Sequence, residues 1–162
     1  MFGFKAIIAA VIMVLSLAAP VLAEPFEDAV LAYNKGDYAT ALRLLRPLAN
    51  QGNVSAQYNL GGMYAKGQGV PQDYAEAVKW YRLAANQGDA DAQVNLGIMY
   101  HKGQGVPQDY VSAHMWFNLA AAKGDKDAAK NRDTAEKRMT PAQIAEAQKL
   151  AREWKPTKPS PR

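Results

Sequence analysis

The sequence predicts an all-α protein, a solenoid of stacked helix-turn-helix repeats, and three observations predict it. Ala56-Gln57-Tyr58-Asn59-Leu60-Gly61 returns as Ala92-Gln93-Val94-Asn95-Leu96-Gly97, an offset of 36 residues. The offset persists through Met63-Tyr64, Lys66 to Tyr74, Ala77, Trp80, Ala84-Ala85 and Gly88-Asp89. A fixed period between about 20 and 50 residues marks units that bury their apolar faces only against their neighbours. Within each unit the apolar residues fall at helical spacing: Ala56, Leu60, Gly61 and Tyr64, then Ala77, Trp80, Tyr81 and Ala84. The helix ends are punctuated by capping side chains and glycines.

Residues 1–23 read as a signal peptide. Lys5 supplies a positive n-region, Ala6 to Leu17 an apolar h-region, and Val21-Leu22-Ala23 a small-residue cleavage pattern, so cleavage is expected after Ala23 and the mature chain is expected in the periplasm or outside the cell. Residues 24–53 form a degenerate first unit. Its second half keeps the offset (Asp37-Tyr38, Ala41, Ala49, Gln51-Gly52), while its first half aligns only if five turn residues are deleted, leaving Lys35-Gly36 directly before Asp37.

Residues 54–89 are the first full unit. Asn53 caps a helix to about Lys66, Gly67 takes the left-handed position, and Gly69-Val70-Pro71 turns the chain. Asp73 opens the second helix, with Glu76 placed to complete a capping box, and Gly88 ends it. A mid-helix glycine costs about 1 kcal/mol, so Gly61 and its counterpart Gly97 imply a partner backbone too close for a methyl group, with Trp80 and Trp116 beside them. Gln68 and Gln104 read as solvent-facing turn residues.

Residues 90–125 repeat this plan. In residues 126–154 a helix from Asp127 to about Lys137 loses the Leu-Gly-Tyr core, and Thr140-Pro141-Ala142-Gln143 starts a C-terminal capping helix with the stripe Ile144, Ala147, Leu150 and Trp154. Residues 155–162 are a proline- and lysine-rich tail with no core residue, expected to be disordered.

The pattern Ala-x-x-x-Leu-Gly-x-x-Tyr, Gly-x-Gly-Val-x-x-Asp, Ala-x-x-Trp and Ala-Ala-x-x-Gly, at Ala56 to Gly88 and again at Ala92 to Gly124, resembles the Sel-1-like repeat, a relative of the tetratricopeptide repeat. The resemblance implies a right-handed α/α superhelix acting as an adaptor or scaffold in envelope signalling, cell-wall enzyme regulation or host interaction. Some cysteine-rich secreted relatives are linked to penicillin binding and β-lactamase activity, so an envelope hydrolase is the alternative; this chain has no cysteine.

Composition excludes several classes. Without cysteine there is no disulfide framework, thiolate metal site, thiol nucleophile or lipidated N-terminal Cys. After Ala23 every apolar run is too short to span a bilayer, so no transmembrane anchor is expected after cleavage. Residues 24–122 carry 7 basic and 9 acidic side chains, residues 123–162 carry 11 and 6, so the basic character is C-terminal. The aromatics lie in the acidic part, against a nucleic-acid partner. His101 and His114 lack ligand spacing, and the carboxylates at Asp89/Asp91 and Asp125/Asp127 sit where helices start. No metal, no cofactor and no catalytic residue is predicted.

Binding is the function that remains, with a protein or peptide as partner; self-association through the exposed ends of a short solenoid stays open. In related repeats the first helix of each pair lines the concave groove. Counting from the repeat Leu gives Leu31 and Asn34 from the first unit, Tyr58 and Ala65 from the second, Val94, Ile98 and His101 from the third, and Lys130 and Lys137 from the last as partner-binding residues. With Glu27 also at the first-unit end, such a groove runs from acidic through apolar to basic.

Overall fold

Why these residues fold into this array is visible at the helix ends. The structure, a computed structural model, describes residues 24–158. The expected signal peptide therefore lies outside the described residues, as do residues 159–162. Among the described residues there are eight helices and no strand: α1 Glu24–Asn34, α2 Tyr38–Asn50, α3 Val54–Lys66, α4 Tyr74–Asn86, α5 Ala90–Lys102, α6 Tyr110–Ala121, α7 Lys126–Glu136 and α8 Pro141–Glu153. Asp37, Asn53, Asp73, Asp89, Asp109 and Asp125 each cap the next helix by accepting from a backbone N–H two or three residues on. Each such cap is worth about 1 kcal/mol. Asp73 caps α4 alone: the Glu76 carboxylate pairs with Lys79 at 2.6 Å and does not complete the expected box. The Thr140–Gln143 box at α8 is complete.

The helices pack in chain order, α1 on α2, α2 on α3 and so on to α7. Fully buried alanines, among them Ala41, Ala56, Ala77, Ala84, Ala92, Ala113 and Ala120, let neighbouring helices approach, and Leu45, Leu60, Met63, Leu96 and Phe117 fill the space between them. The helix after α7 breaks the order, since α8 packs on α6 and scarcely touches α7.

The glycines of the Leu-Gly pair have a different cause from the one expected. A Cβ at Gly61 would come within 2.6 Å of the Tyr81 ring, and one at Gly97 within 2.6 Å of the Phe117 ring. An aromatic ring on the following helix occupies the place, not a backbone, and it belongs to the residue after the repeat tryptophan. Backbone crowding occurs instead at the second turn glycine. Gly105 has φ +71° and a Cβ there would lie 2.3 Å from the carbonyl of Tyr74. Each long turn thus seats against the start of the preceding even helix.

Buried glutamines stitch the units together. Gln57 donates to the Ala49 carbonyl and accepts from Gln87, which also reaches Gly52. One unit later Gln93 donates to Ala85, and Lys123 takes the place of Gln87, donating to the Gly88 carbonyl. Gln68 does not face solvent as expected. It accepts from the Tyr33 hydroxyl at 2.8 Å and donates to the Tyr38 hydroxyl at 3.0 Å, tying the long turn to the first unit.

The first residues of the tail are laid down on the fold. Trp154 meets Trp116 edge-on at 6.3 Å, and the Thr157 amide donates to the Asn86 carbonyl at 2.8 Å, so residues 155–158 return along the end of α4.

Candidate binding groove

Odd-numbered helices, the first of each pair, form one face of the solenoid, and two clefts open on it. The first, about 210 Å³, is lined by Tyr33 of α1, Tyr58, Asn59, Gly62 and Lys66 of α3, Tyr81 of α4 and Asn95 of α5. The second, about 270 Å³, is lined by Ile98, His101 and Lys102 of α5, Phe117 of α6, and Asn131 and Thr134 of α7. These are the same place in successive units. Gly62 and Ile98, Lys66 and Lys102, Tyr81 and Phe117, and Asn95 and Asn131 are each separated by 36 residues. Every cleft therefore has an aromatic floor, an asparagine on the far helix and a lysine at the rim.

The periodicity explains the construction. Tyr81 and Phe117 lean over the Leu-Gly pair because glycine leaves room for a ring, which sets a buried aromatic ring beneath each cleft. Lys66 and Lys102 stand in the last turns of α3 and α5, where the helix dipole favours a cation. Both are exposed, and among the described residues neither joins a salt bridge. Asn95 and Asn131 are half-buried and offer both donor and acceptor, the pairing a peptide backbone requires.

Local electrostatics differ between the two. Burial, with the charge of Asp91 beside it, pushes the Tyr58 phenol above the ordinary tyrosine value, and burial does the same for Tyr81. The two rings lie 5.9 Å apart. In the second cleft burial, then Arg138 and Lys102, hold the His101 imidazole below its usual value. The His101 ring packs edge-on against Tyr110 at 5.2 Å, and its Nδ1 is buried without a partner.

Of the predicted groove residues, the structure brings Tyr58 to the first cleft and Ile98 and His101 to the second. The others line neither. Leu31, 52% exposed, faces the open end of the solenoid with Asp28, Ala32, Lys35, Asp37, Thr40, Arg43 and Leu44, because no unit precedes α1 among the described residues. Asn34 is exposed at the end of α1. Ala65 packs against the second core cluster, and Val94 is half-buried in α5. Lys130 is held by Asp127 at 2.9 Å, and Lys137 caps the end of α7. Sequence reasoning missed Asn59, Asn95 and Asn131, Lys66 and Lys102, and the floor rings Tyr81 and Phe117. The signal was present, since all of these fall on the same 36-residue offset.

The remaining polar clusters do not gather. Among the described residues no three His, Asp or Glu side chains come close enough to hold a metal ion. His114, buried in α6, bonds through Nε2 to Glu136 of α7 at 2.7 Å, joining two helices well inside the end of the array.

The Sel1 repeat family model matches residues 31–53, 54–89 and 90–125. The chain belongs to the Sel1 repeat family. Repeats of this family generally serve as protein–protein interaction modules and are generally non-catalytic. The Sel1 solenoid is also seen in similar solved structures. One is c5321, a protective antigen of uropathogenic Escherichia coli strains displaying an SLR fold, 32% identical, with a TM-score of 0.77 over 82% of this chain and 29% of that one. Another is a Sel1 repeat protein from Oxalobacter formigenes, 34% identical, with a TM-score of 0.63 over 66% of this chain and 44% of that one. This chain thus spans less than half the length of either. No curated protein is similar enough to count as a match. Among the described residues no helix is long and apolar enough to cross a membrane.

Proposed function

We propose that this Sel1 repeat chain is an exported, non-catalytic adaptor that holds an extended peptide segment of a partner protein along its odd-helix face, with acidic side chains of that segment set against Lys66 and Lys102. The recurrence of one cleft at a 36-residue interval is the observation that carries the reading. An extended chain needs repeated backbone hydrogen bonds and repeated pockets for its side chains. Asn95 and Asn131 supply the first, the cavities over Tyr81 and Phe117 the second, and two unpaired ammonium groups set the charge of the partner. Export rests on Lys5, the h-region and Val21-Leu22-Ala23, with the mature chain starting at Glu24 in the periplasm or outside the cell.

A photo-crosslinking side chain at position 98, compared with one at exposed position 79 on α4, tests the groove in intact cells. Capture of a partner from position 98, lost when Lys66 and Lys102 are both changed to Glu, is expected; capture from position 79 alone would discard the reading. The purified protein is expected to leave a chromogenic β-lactam unchanged, and turnover would put an envelope hydrolase in its place. Recovery of the chain with an intact Met1 in the cytoplasm would remove export.

A further inference from the structure

The repeat offset relates two further places, along the edge where the units join, and only one of them is filled. Trp154 lies over Gly88, edge-on to Trp116, with the Lys123 ammonium 6.0 Å from its ring centre. Subtracting 36 from Gly88, Trp116, Leu119 and Lys123 gives Gly52, Trp80, Leu83 and Gln87. Those four residues line an open cleft of about 260 Å³, with Gln57 and Asn86 in its wall and Thr157 and Lys158 of the chain's own tail along one edge. The difference in burial follows the occupant. Trp116 is 6% exposed and Leu119 half-buried, whereas Leu83 is 47% exposed, one of two large apolar side chains so open among the described residues. Trp80 Nε1 and Gln87 Oε1 are sealed from solvent in this wall with no hydrogen-bond partner.

The chain thus contains its own template for what this cleft accepts. We propose that the Trp80–Leu83–Gln87 cleft is a docking site for a tryptophan side chain on an extended segment of a partner polypeptide, seated as Trp154 is seated one unit later. The helix that delivers Trp154 has no counterpart here. Met115 of α6 corresponds to Lys79 of α4, and Ser112 to Glu76, which pair with each other as an exposed ion pair, so the α4 face suits solvent and a whole helix would not settle on it. A short strand carrying one large aromatic ring fits what is left. Gln87 in place of Lys123 removes the cation from the helix wall and leaves Lys158 of the tail at the edge, so the ring is held chiefly by apolar contact with Trp80 and Leu83. This site lies on the repeat junctions and stands independently of the odd-helix groove.

The test uses ¹⁵N-labelled protein and an unlabelled peptide with the sequence of residues 151–158, Ala-Arg-Glu-Trp-Lys-Pro-Thr-Lys, with the indole N–H resonances assigned through Trp80→Phe. The Trp80 resonance is expected to move saturably on titration while those of Trp116 and Trp154 stay in place. A peptide with Ala for Trp should leave it still, and Leu83→Glu should weaken binding at least tenfold with the melting temperature within a few degrees of wild type. No movement of Trp80, movement of Trp116, or equal movement with the Ala peptide would overturn the proposal. So would movement of Trp80 on dilution alone, which would assign the cleft to a second copy, or on removal of residues 159–162, which would assign it to the chain's own end.

Discussion

The two odd-helix clefts are one design executed twice, and they differ where the repeat permits. Lysine, asparagine and an aromatic floor are kept, but the first cleft has Gly62 and Tyr81 where the second has Ile98 and Phe117, and Tyr58 lines the first while its counterpart Val94 lines neither. Gly62 leaves the first cleft open down to the Tyr81 hydroxyl, whereas Ile98 gives the second an apolar wall. A solenoid separates the two tasks: the scaffold residues set spacing and charge, and the positions the scaffold does not need set what each cleft accepts.

The comparison breaks first through its glycines. Gly105→Ala should be the most damaging single change, because its Cβ would strike the Tyr74 carbonyl at 2.3 Å and φ is +71°; neither backbone can yield cheaply, and a loss of about 3 kcal/mol or more is expected. Gly97→Ala should cost about 1 to 3 kcal/mol, since its Cβ would lie 2.6 Å from the buried Phe117 ring, which must move aside as a side chain while the backbone stays in place. Gly103→Ala, at φ +68° with its nearest contacts at 3.3 Å, should cost about 1 kcal/mol. Urea denaturation of the three variants gives the order; a Gly97 variant worse than the Gly105 variant would mean that the turns do not seat as described.

Much of this was legible in the sequence. The offset fixed the units, Asn53, Asp73 and Asp89 announced helix starts, and Gly67 and Gly103 adopt the left-handed conformation expected of them. What was not legible depends on which neighbour fills a space. Gly61 and Gly97 were plainly forced, but sequence spacing alone does not distinguish a ring from a backbone as the obstacle. Leu31 occupies a groove position by counting, yet with no unit before it among the described residues the same helical face meets solvent at the end of the array. Trp154 looked like part of a helix stripe, and only the packing of α8 on α6 brings it to Trp116 and lays residues 155–158 along α4.

A smaller effect sharpens the contrast between the clefts by pH. His101 belongs to the second cleft only, and burial, with Arg138 and Lys102, lowers its proton affinity in the fold. The unfolded chain, with an ordinary value near 6.5, then binds the proton more readily than the folded chain, so the stability contributed by neutral His101 is complete above 6.5 and is lost as pH falls through the lowered value. His101→Gln should flatten the fall in melting temperature below pH 6.5 by a small margin. If wild type and variant decline in parallel, the imidazole is not held neutral by its cleft. The smallest expected effect is that of Asn95→Ala, which should leave the melting temperature within about 2 °C, since Asn95 lines a cleft and fills no core; its penalty should fall on ligand binding.

Two charge reversals of equal size test the binding face most directly. Lys66→Glu with Lys102→Glu changes both cleft rims, and Lys79→Glu with Lys130→Glu changes two exposed lysines that line neither cleft. Fluorescence anisotropy of an acidic, extended peptide probe, rich in Glu and Pro with spaced Leu, is measured against both at physiological salt. The rim pair should lower affinity at least tenfold and the control pair less than twofold. Equal losses from the two pairs would show that the probe answers to net charge, and the odd-helix clefts would no longer be the binding site.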